Sequence, residues 1–445
     1  MTKEQFIQEL LRRAVESGIS EAEAYLSETE SMRVLMDQLE IGEYTVNTAC
    51  RLTFRGLYNG KMGSSFTEVM DEDAMEMLIE NVKSSASLIT DEDEQFIFTG
   101  SQSYAAVDCT GNLGTPEERI DQAVAVAKAG VSADPRVREN GLFTGFASSS
   151  ARIHLSNTHG LNLKHTGQDC YVVLESIARE AERASTAFRL DCKRNINDLD
   201  IKKVVDGCVE DAVCGLHAEP CESGEMPVIL RADAMVEMLD AFQSIFSADA
   251  AQKGLSLLAG KEGEAIASAC LTIIDDPLRA DCMSACPFDD EGVASRTKRI
   301  VKKGVLKTLL HNLKTAKKAG CESTGNASRA GAGGAIGVSP TNFFIEQGTM
   351  DLRALEESMG DGLVITRLEG LHAGADAISG DFSILSQGYL VKDGKRGDAV
   401  EKVTVAGNFF SMLKEIVAVG SDLRFPMGSF GSPSVWVSKL SVAGK

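Results

Sequence analysis

Zinc chemistry is the first possibility that the side chains raise, because histidine, cysteine and carboxylate groups are the usual ligands of that metal. A catalytic zinc site needs three protein ligands and an open position, commonly with two histidines on one helix and a glutamate beside them. The sequence contains no His-Glu-x-x-His. No two histidines share a predicted helix face, and the six are His154, His159, His165, His217, His311 and His372. We therefore predict no catalytic zinc site of this kind in the chain.

The cysteines offer a weaker metal pattern. Cys282 and Cys286 bracket three residues, and Cys270 or His311 could supply a third ligand. The spacing is one residue longer than C-x-x-C and no second pair follows, so small apolar side chains in a core are the favoured interpretation. The eleven cysteines lack the regular spacing of a disulfide framework, which predicts reduced thiols in a cytoplasmic protein.

A glycine-rich run extends from Arg329 to Gly337. It lacks the Gly-Lys-Ser/Thr of a phosphate-binding loop and the strand and helix that frame a dinucleotide fingerprint. Glycine lets a backbone approach another chain closely. We predict that residues 323–342 lie at a subunit interface or in the wall of a peptide-binding cavity. The candidate lining residues are Asn326, Arg329, Gly331, Gly333, Thr341, Asn342 and, further along the chain, Asp381.

Hydrolysis by a serine is not indicated, because no Gly-x-Ser-x-Gly is present. Triads are assembled in space and not in sequence, so a constellation such as Asp381, His372 and a serine stays open as an alternative.

Charge excludes some classes of partner. Lys and Arg number 45 against 65 Asp and Glu, for a formal net charge of -20. Such a surface repels phosphate, which argues against nucleic acid and against anionic membranes. The chain opens on charged residues and contains no run of about 18 apolar residues, so neither a secretory signal nor a membrane span is predicted.

The elements that must position these residues alternate between helices and hairpins. A capping box at Thr2 and Gln5 starts a first helix, and Asn59-Gly60 marks a hairpin turn. At 445 residues the chain exceeds one core, and the polar segment 217–227 separates residues 1–218 from residues 219–445. We predict two α+β domains with mostly antiparallel or mixed sheets and packed helices.

Several blocks together resemble the TldD/PmbA family, in its PmbA/TldE-type branch. They include Pro287-Phe-Asp-Asp-Glu-Gly292, Ser323-Thr-Gly-Asn326 and Ser379-Gly-Asp381. Further blocks occupy residues 246–254, 275–277, 340–348, 405–408 and 419–422. The similarity thus extends over nearly the whole chain. It implies a metallopeptidase system, known also as modulator of DNA gyrase, that acts on unfolded or leader peptides.

Within that family, the catalytic TldD-type subunits carry two histidines on a helix and a later cysteine as zinc ligands. The matching region of this chain offers Asp233 and Glu237, and no cysteine follows Cys321. The resemblance therefore implies a non-catalytic subunit without a cofactor, paired with a zinc-bearing TldD-type partner or with itself, and inactive alone. A self-sufficient peptidase and a peptide-binding homodimer are the alternatives.

Overall fold

The computed structural model describes residues 1–90, 95–329 and 336–445. The elements before residue 220 are, in order, α1 (Lys3–Glu16), β1 (Glu21–Asp37), β2 (Glu40–Tyr58), β3 (Lys61–Thr67), α2 (Glu72–Ser87), α3 (Pro116–Ala133), β4 (Val137–Asn140), β5 (Gly145–Asn157), β6 (Asn162–Glu180), β7 (Arg183–Lys193) and α4 (Ile201–Gly215).

The seven strands form one antiparallel sheet in the order β3-β2-β1-β5-β6-β4, with β7 also paired to β6. Alternate residues of β1 point to one face, where helices α1 to α4 cover them. Helix α1 begins with the predicted capping box at Thr2 and Gln5. The opposite face of β1 carries Glu23 and Tyr25, which are also buried. The sheet therefore contacts protein on both faces near the start of β1.

The later elements are β8 (Gly224–Leu230), α5 (Ala232–Ala241), α6 (Ala248–Gln252), β9 (Ile273–Asp275), β10 (Lys298–Lys302), β11 (Val305–Leu306), α7 (Leu313–Ala319), β12 (Ala327–Arg329), β13 (Ile336–Val338), β14 (Phe343–Ile345), α8 (Leu352–Met359), β15 (Gly362–Glu369), α9 (Leu371–Gly374), β16 (Asp381–Lys392), β17 (Lys395–Asn408), α10 (Phe409–Lys414), β18 (Ile416–Val419), β19 (Phe430–Gly431) and β20 (Val435–Ala443).

Five of these strands form a closed sheet. The order is β17-β16-β15-β8-β20, and β20 pairs back to β17 through Thr404–Ala443, Val405–Val442 and Ala406–Ser441. Helix α5 follows β8 directly and buries Met235, Met238 and Leu239 in the main core of this half. A smaller sheet, β11-β10-β9-β14-β19, packs against the same core.

The α+β prediction is confirmed, because antiparallel sheets with packed helices dominate both halves. Helix α10 ends at Lys414, and the residues Ile416 to Val419 that follow it form β18, which pairs with β20. The boundary between residues 218 and 219 stays a prediction. Across the three described ranges, no helix has the length and apolar character needed to cross a bilayer.

Candidate functional site

A cavity of about 870 Å³ lies between the two halves of the chain. Strand β7 and helix α4 form one wall. Helix α5, strands β15 to β17 and the segment 423–428 form the other. This volume is at the upper end for small-molecule sites, so the cavity is large enough for a short stretch of extended peptide.

Helix α5 presents two carboxylates to this cavity. Its apolar side chains point into the core of the second half, which leaves Asp233 and Glu237, one helical turn apart, on the cavity side. Asp233 lies in the first turn, where the helix dipole favours negative charge. These are the two residues that the sequence offers where the resemblance implies zinc-binding histidines.

Asp233 is surrounded by guanidinium groups. One of its oxygens lies 3.3 Å from Arg231, 3.7 Å from Arg189 and 3.9 Å from Arg424. Asp211 on α4 binds two of these arginines more closely, since it accepts hydrogen bonds from Arg189 at 2.7 and 3.1 Å and from Arg231 at 3.1 and 3.2 Å. The group formed by Arg189, Asp211, Arg231, Asp233 and Arg424, called here the arginine cluster, ties both halves together.

The cluster shifts the acidity of Asp211. Burial alone would raise the pKa of this carboxyl group, but the charges and hydrogen bonds of Arg231 and Arg189 outweigh burial and lower its pKa. Asp211 is therefore a carboxylate at neutral pH. The five side chains carry three positive and two negative charges, which leaves one positive charge in excess when Asp233 is also ionised.

Glu237 behaves differently. Its side chain is open to the solvent of the cavity, yet the surrounding walls remove part of its hydration. This desolvation raises the pKa of Glu237 to about 7, and the negative charge of Asp233 adds to the rise. Near neutral pH the group is present in both protonation states and can donate or accept a hydrogen bond.

Apolar side chains complete the cavity. Phe143, Phe188 and Met427 line it and are exposed. Exposed aromatic and methionine side chains beside charged groups are typical of surfaces that bind other chains. The cavity can therefore hold a ligand through apolar contacts and through charge.

The predicted lining residues lie elsewhere. Asn326, Thr341 and Asn342 surround the adjacent carboxylates Asp275 and Asp276. Asn326 donates a hydrogen bond to Asp275 at 2.7 Å, the backbone N–H of Thr341 donates to Asp275 at 2.8 Å, and the Asn342 side chain donates to the carbonyl of Asp276 at 3.0 Å. Asn326 and Asn342 are buried, so these bonds hold the segment to its own chain.

Arg329 also connects the two halves of the chain, at a position outside the cavity. Its guanidinium group pairs with buried Glu23 and lies 4.5 Å from the ring centroid of Tyr25. Tyr25 donates a hydrogen bond to Asp290 at 2.6 Å. Arg55 binds the same Glu23 at 2.8 Å and Glu291 at 3.4 Å. We call Glu23, Arg55, Glu291 and Arg329 the inter-half ion network.

The remaining predicted residues do not join either group. Gly331 and Gly333 lie outside the described residues. Asp381 is exposed at the start of β16, where it accepts a hydrogen bond from Asn408 at 2.8 Å. The five predicted residues that the structure describes, Asn326, Arg329, Thr341, Asn342 and Asp381, do not line the cavity. Their role in binding a peptide or partner stays a prediction.

Cys282 and Cys286 are also unsuited to chemistry. Burial raises the pKa of each thiol to about 12, so neither is a thiolate at neutral pH. All eleven cysteines lie in the described ranges, where none takes part in a disulfide. The same ranges contain no cluster of three His, Cys, Asp or Glu side chains placed to hold a metal ion.

Sequence reasoning missed most of the arginine cluster. Arg189, Asp211 and Arg424 come from β7, α4 and the segment before β19, more than 200 residues apart at the extremes. Single charged residues on separate elements give no local pattern, and only Asp233 and Glu237 were marked by their position on a helix.

Family models of known proteins match residues in both halves of the chain. Domain 1 of the PmbA/TldA metallopeptidases matches residues 22–86, their central domain matches residues 115–216, and their C-terminal domain matches residues 223–444. The chain belongs to the PmbA/TldD metallopeptidase family. Its similarity to individual members extends over most of its length.

Two relatives named as metalloproteases illustrate this similarity. The chain is 26% identical to Metalloprotease PmbA of Escherichia coli O157:H7, over 74% of this chain and 71% of the relative. It is 27% identical to a metalloprotease of Methanothermobacter thermautotrophicus, over 94% and 91% of the two chains.

Solved structures of family members have the same fold. A Thermotoga maritima protein described as a modulator of a DNA gyrase superposes with a TM-score of 0.92 at 30% identity, over 99% of this chain and 100% of that one. TldE from Thermococcus kodakarensis superposes with a TM-score of 0.89 at 23% identity, over 99% and 100%. At that identity the second comparison concerns the fold alone.

The resemblance to the family implies zinc ligands on helix α5 in catalytic members, and the residues of this chain do not fit that metal. Asp233 and Glu237 are oxygen ligands without a neighbouring imidazole or thiolate on the helix. The three guanidinium groups within 3.9 Å of Asp233 would repel a divalent cation.

Proposed function

We propose that this chain is the non-catalytic subunit of a TldD-type metallopeptidase complex that degrades or processes unfolded or leader-type peptides. The observation that carries the proposal is the position of Asp233. On the helix where catalytic relatives hold zinc, this chain places a carboxylate among three arginines. Replacement of the zinc-binding histidines would by itself only remove the metal ligands. In this chain, three positively charged guanidinium groups also surround the carboxylate on that helix.

The cavity supports a role in holding peptide. Its walls combine exposed Phe143, Phe188 and Met427 with the arginine cluster, so apolar and acidic parts of an extended chain both find complementary surface. Peptides bind well to such surfaces when their backbone is also held, for example by pairing with a strand edge. The chain thus contributes binding and orientation, and the partner subunit contributes the zinc and the cleavage step.

The proposed partner is a TldD-type subunit, with a second copy of this chain as the other pairing, and the proposed compartment is the cytoplasm. Metalloprotease names among relatives that match most of the chain support membership of such a system. The spacing of the eleven cysteines supports a reducing compartment, because it lacks the regularity of a disulfide framework.

Reconstitution tests the proposal. The full chain and a TldD-type chain from the same genome are purified separately and mixed, and cleavage of an unfolded protein substrate is followed with and without a chelator. We expect no cleavage by this chain alone, and chelator-sensitive cleavage by the mixture that exceeds cleavage by the TldD-type chain alone.

The contrary result is a mixture no more active than the TldD-type chain, with no complex on size-exclusion chromatography. Cleavage by this chain alone would instead favour a self-sufficient peptidase. Bound peptide co-purifying with a dimer of this chain, without any TldD-type protein, would favour a peptide-binding homodimer.

A further inference from the structure

Two arginines in the cavity have more exposed side chains than their neighbours. Arg189 and Arg231 each make two hydrogen bonds to Asp211, and their side chains are mostly covered. Arg424 has a longer contact, 3.9 Å to Asp233, and its side chain is 41% exposed. Arg367 lies 3.5 Å from Glu369 and its side chain is 38% exposed.

Both of these exposed guanidinium groups act on carboxylates of α5. Arg424 approaches Asp233, and the charge of Arg367 acts on Glu237, one helical turn further along. Arg367 also donates a hydrogen bond to the carbonyl of Thr186 on β7 at 3.0 Å, which holds it at the junction of the two cavity walls. Their guanidinium groups are accessible from the cavity and retain unused donors.

The local balance of charge is unusual for this protein. The cavity is lined by seven Lys or Arg residues and seven Asp or Glu residues. In the whole chain, 45 Lys or Arg residues stand against 65 Asp or Glu residues. Around Asp233 the excess is positive by one charge. Arginine in this setting binds carboxylates well, because its planar group donates two parallel hydrogen bonds to the two oxygens.

We infer that Arg424 and Arg367 form a carboxylate-binding subsite that selects peptides carrying an acidic side chain or a free C-terminal carboxylate. The inference rests on the proposed function, since it takes the cavity to be the place where peptide binds. The exposed apolar residues beside the two arginines receive the neighbouring side chains of the peptide. The binding of the carboxylate by the two arginines then adds to the binding free energy of the apolar contacts, which are available to peptides of any sequence.

Fluorescence anisotropy with three labelled peptides of one apolar sequence tests this. The first peptide is neutral with an amidated C-terminus, the second has a free C-terminal carboxylate, and the third has one internal glutamate and an amidated C-terminus. At low ionic strength we expect at least one anionic peptide to bind the full chain about tenfold more tightly than the neutral one. Which of the two binds tightly identifies the source of the carboxylate.

Variants assign the effect to the two arginines. Arg424→Gln and Arg367→Gln are each expected to lower the affinity for the anionic peptide by a larger factor than the affinity for the neutral peptide, which removes most of this preference. Arg353→Gln, on α8 outside the cavity with a side chain that is 85% exposed, is the matched control and is expected to keep the preference.

Three results would overturn the inference. Equal affinity of the wild-type chain for all three peptides would reject the carboxylate subsite and leave the proposed function standing, as would a charge preference that survives in both variants. Failure of all three peptides to bind would contradict peptide binding by the cavity itself, and the inference would fall with it.

Discussion

At the scale of single residues, the arginine cluster decides what α5 can do. A carboxylate on this helix could contribute to a metal site if neutral or anionic groups surrounded it. Here Asp211 positions Arg189 and Arg231 so that both also face Asp233. Side chains from other elements therefore determine which ligands α5 can bind. For that reason the sequence of the helix could indicate that the histidines are missing but could not indicate the arginines that surround Asp233.

Replacement of Asp211 by asparagine tests the cluster. Asp211→Asn leaves two partly buried arginines without their closest carboxylate, whose side chain is 22% exposed. We expect the free energy of unfolding at pH 7 to fall by about 3 kcal/mol, measured by urea denaturation. Asp206→Asn, on the same helix but at an exposed pair with Lys202, is the control and should change stability by less than about 0.5 kcal/mol.

The pH dependence of that difference follows from the pKa of Asp211. Because the folded state lowers this pKa, the stabilisation is present above the ordinary pKa of about 4 and is lost as the pH falls through the folded-state value. Wild type and Asp211→Asn should therefore differ at pH 7 and converge on acidification below about pH 4. A difference that stays constant down to the acid transition would show that the charge of Asp211 is not the cause.

At the scale of elements, local signals predicted most helices and hairpins. The Asn59-Gly60 turn joins β2 to β3 as predicted. Strand β7 was missed, because its hairpin with β6 turns through Ala181, a non-glycine residue at φ 52° that gives no turn signal. That omission removed part of one wall of the cavity, and with it Arg189, from what the sequence could predict.

Close packing of β15 against β16 gives a test at this scale. Gly388 lies at an irregularity of this pair, and an added Cβ would lie 1.8 Å from the carbonyl oxygen of Val364. We expect Gly388→Ala to lower the free energy of unfolding by at least about 2 kcal/mol, since the strands must separate. Gly224→Ala on β8 is the matched control, because nothing lies within 4 Å of its added Cβ. Equal stability of the two variants would contradict the close approach of β15 and β16 at this position.

At the scale of the whole molecule, two groups of charges connect the halves of the chain on either side of their contact. The arginine cluster lies at the cavity, and the inter-half ion network lies beneath the first sheet. Glu23 and Arg329 are 306 residues apart in sequence. No periodicity or turn signal indicates such a pairing, so the buried partner of Arg329 could not be predicted from the sequence, and the predicted interface role of Arg329 stays a prediction.

Substitution of Arg329 tests this connection. Arg329→Ala removes one of two arginines from Glu23, and Arg55 remains at 2.8 Å. We expect the free energy of unfolding to fall by about 2 kcal/mol. This is less than for a buried charge left without any partner, because Arg55 still pairs with Glu23. Arg353→Ala is the exposed control. Unchanged stability of Arg329→Ala, together with loss of partner binding, would instead support the interface role predicted from the sequence.

The central claim is that this chain holds peptide and leaves catalysis to a partner, and zinc content tests it most directly. The isolated chain and a TldD-type chain are purified in the same way, their zinc is measured by elemental analysis, and cleavage is assayed with and without chelator. The account predicts zinc well below one ion per chain and no cleavage for this protein, with chelator-sensitive cleavage appearing only when the TldD-type chain is added. Stoichiometric zinc in the isolated chain, together with chelator-sensitive turnover by that chain alone, would contradict it.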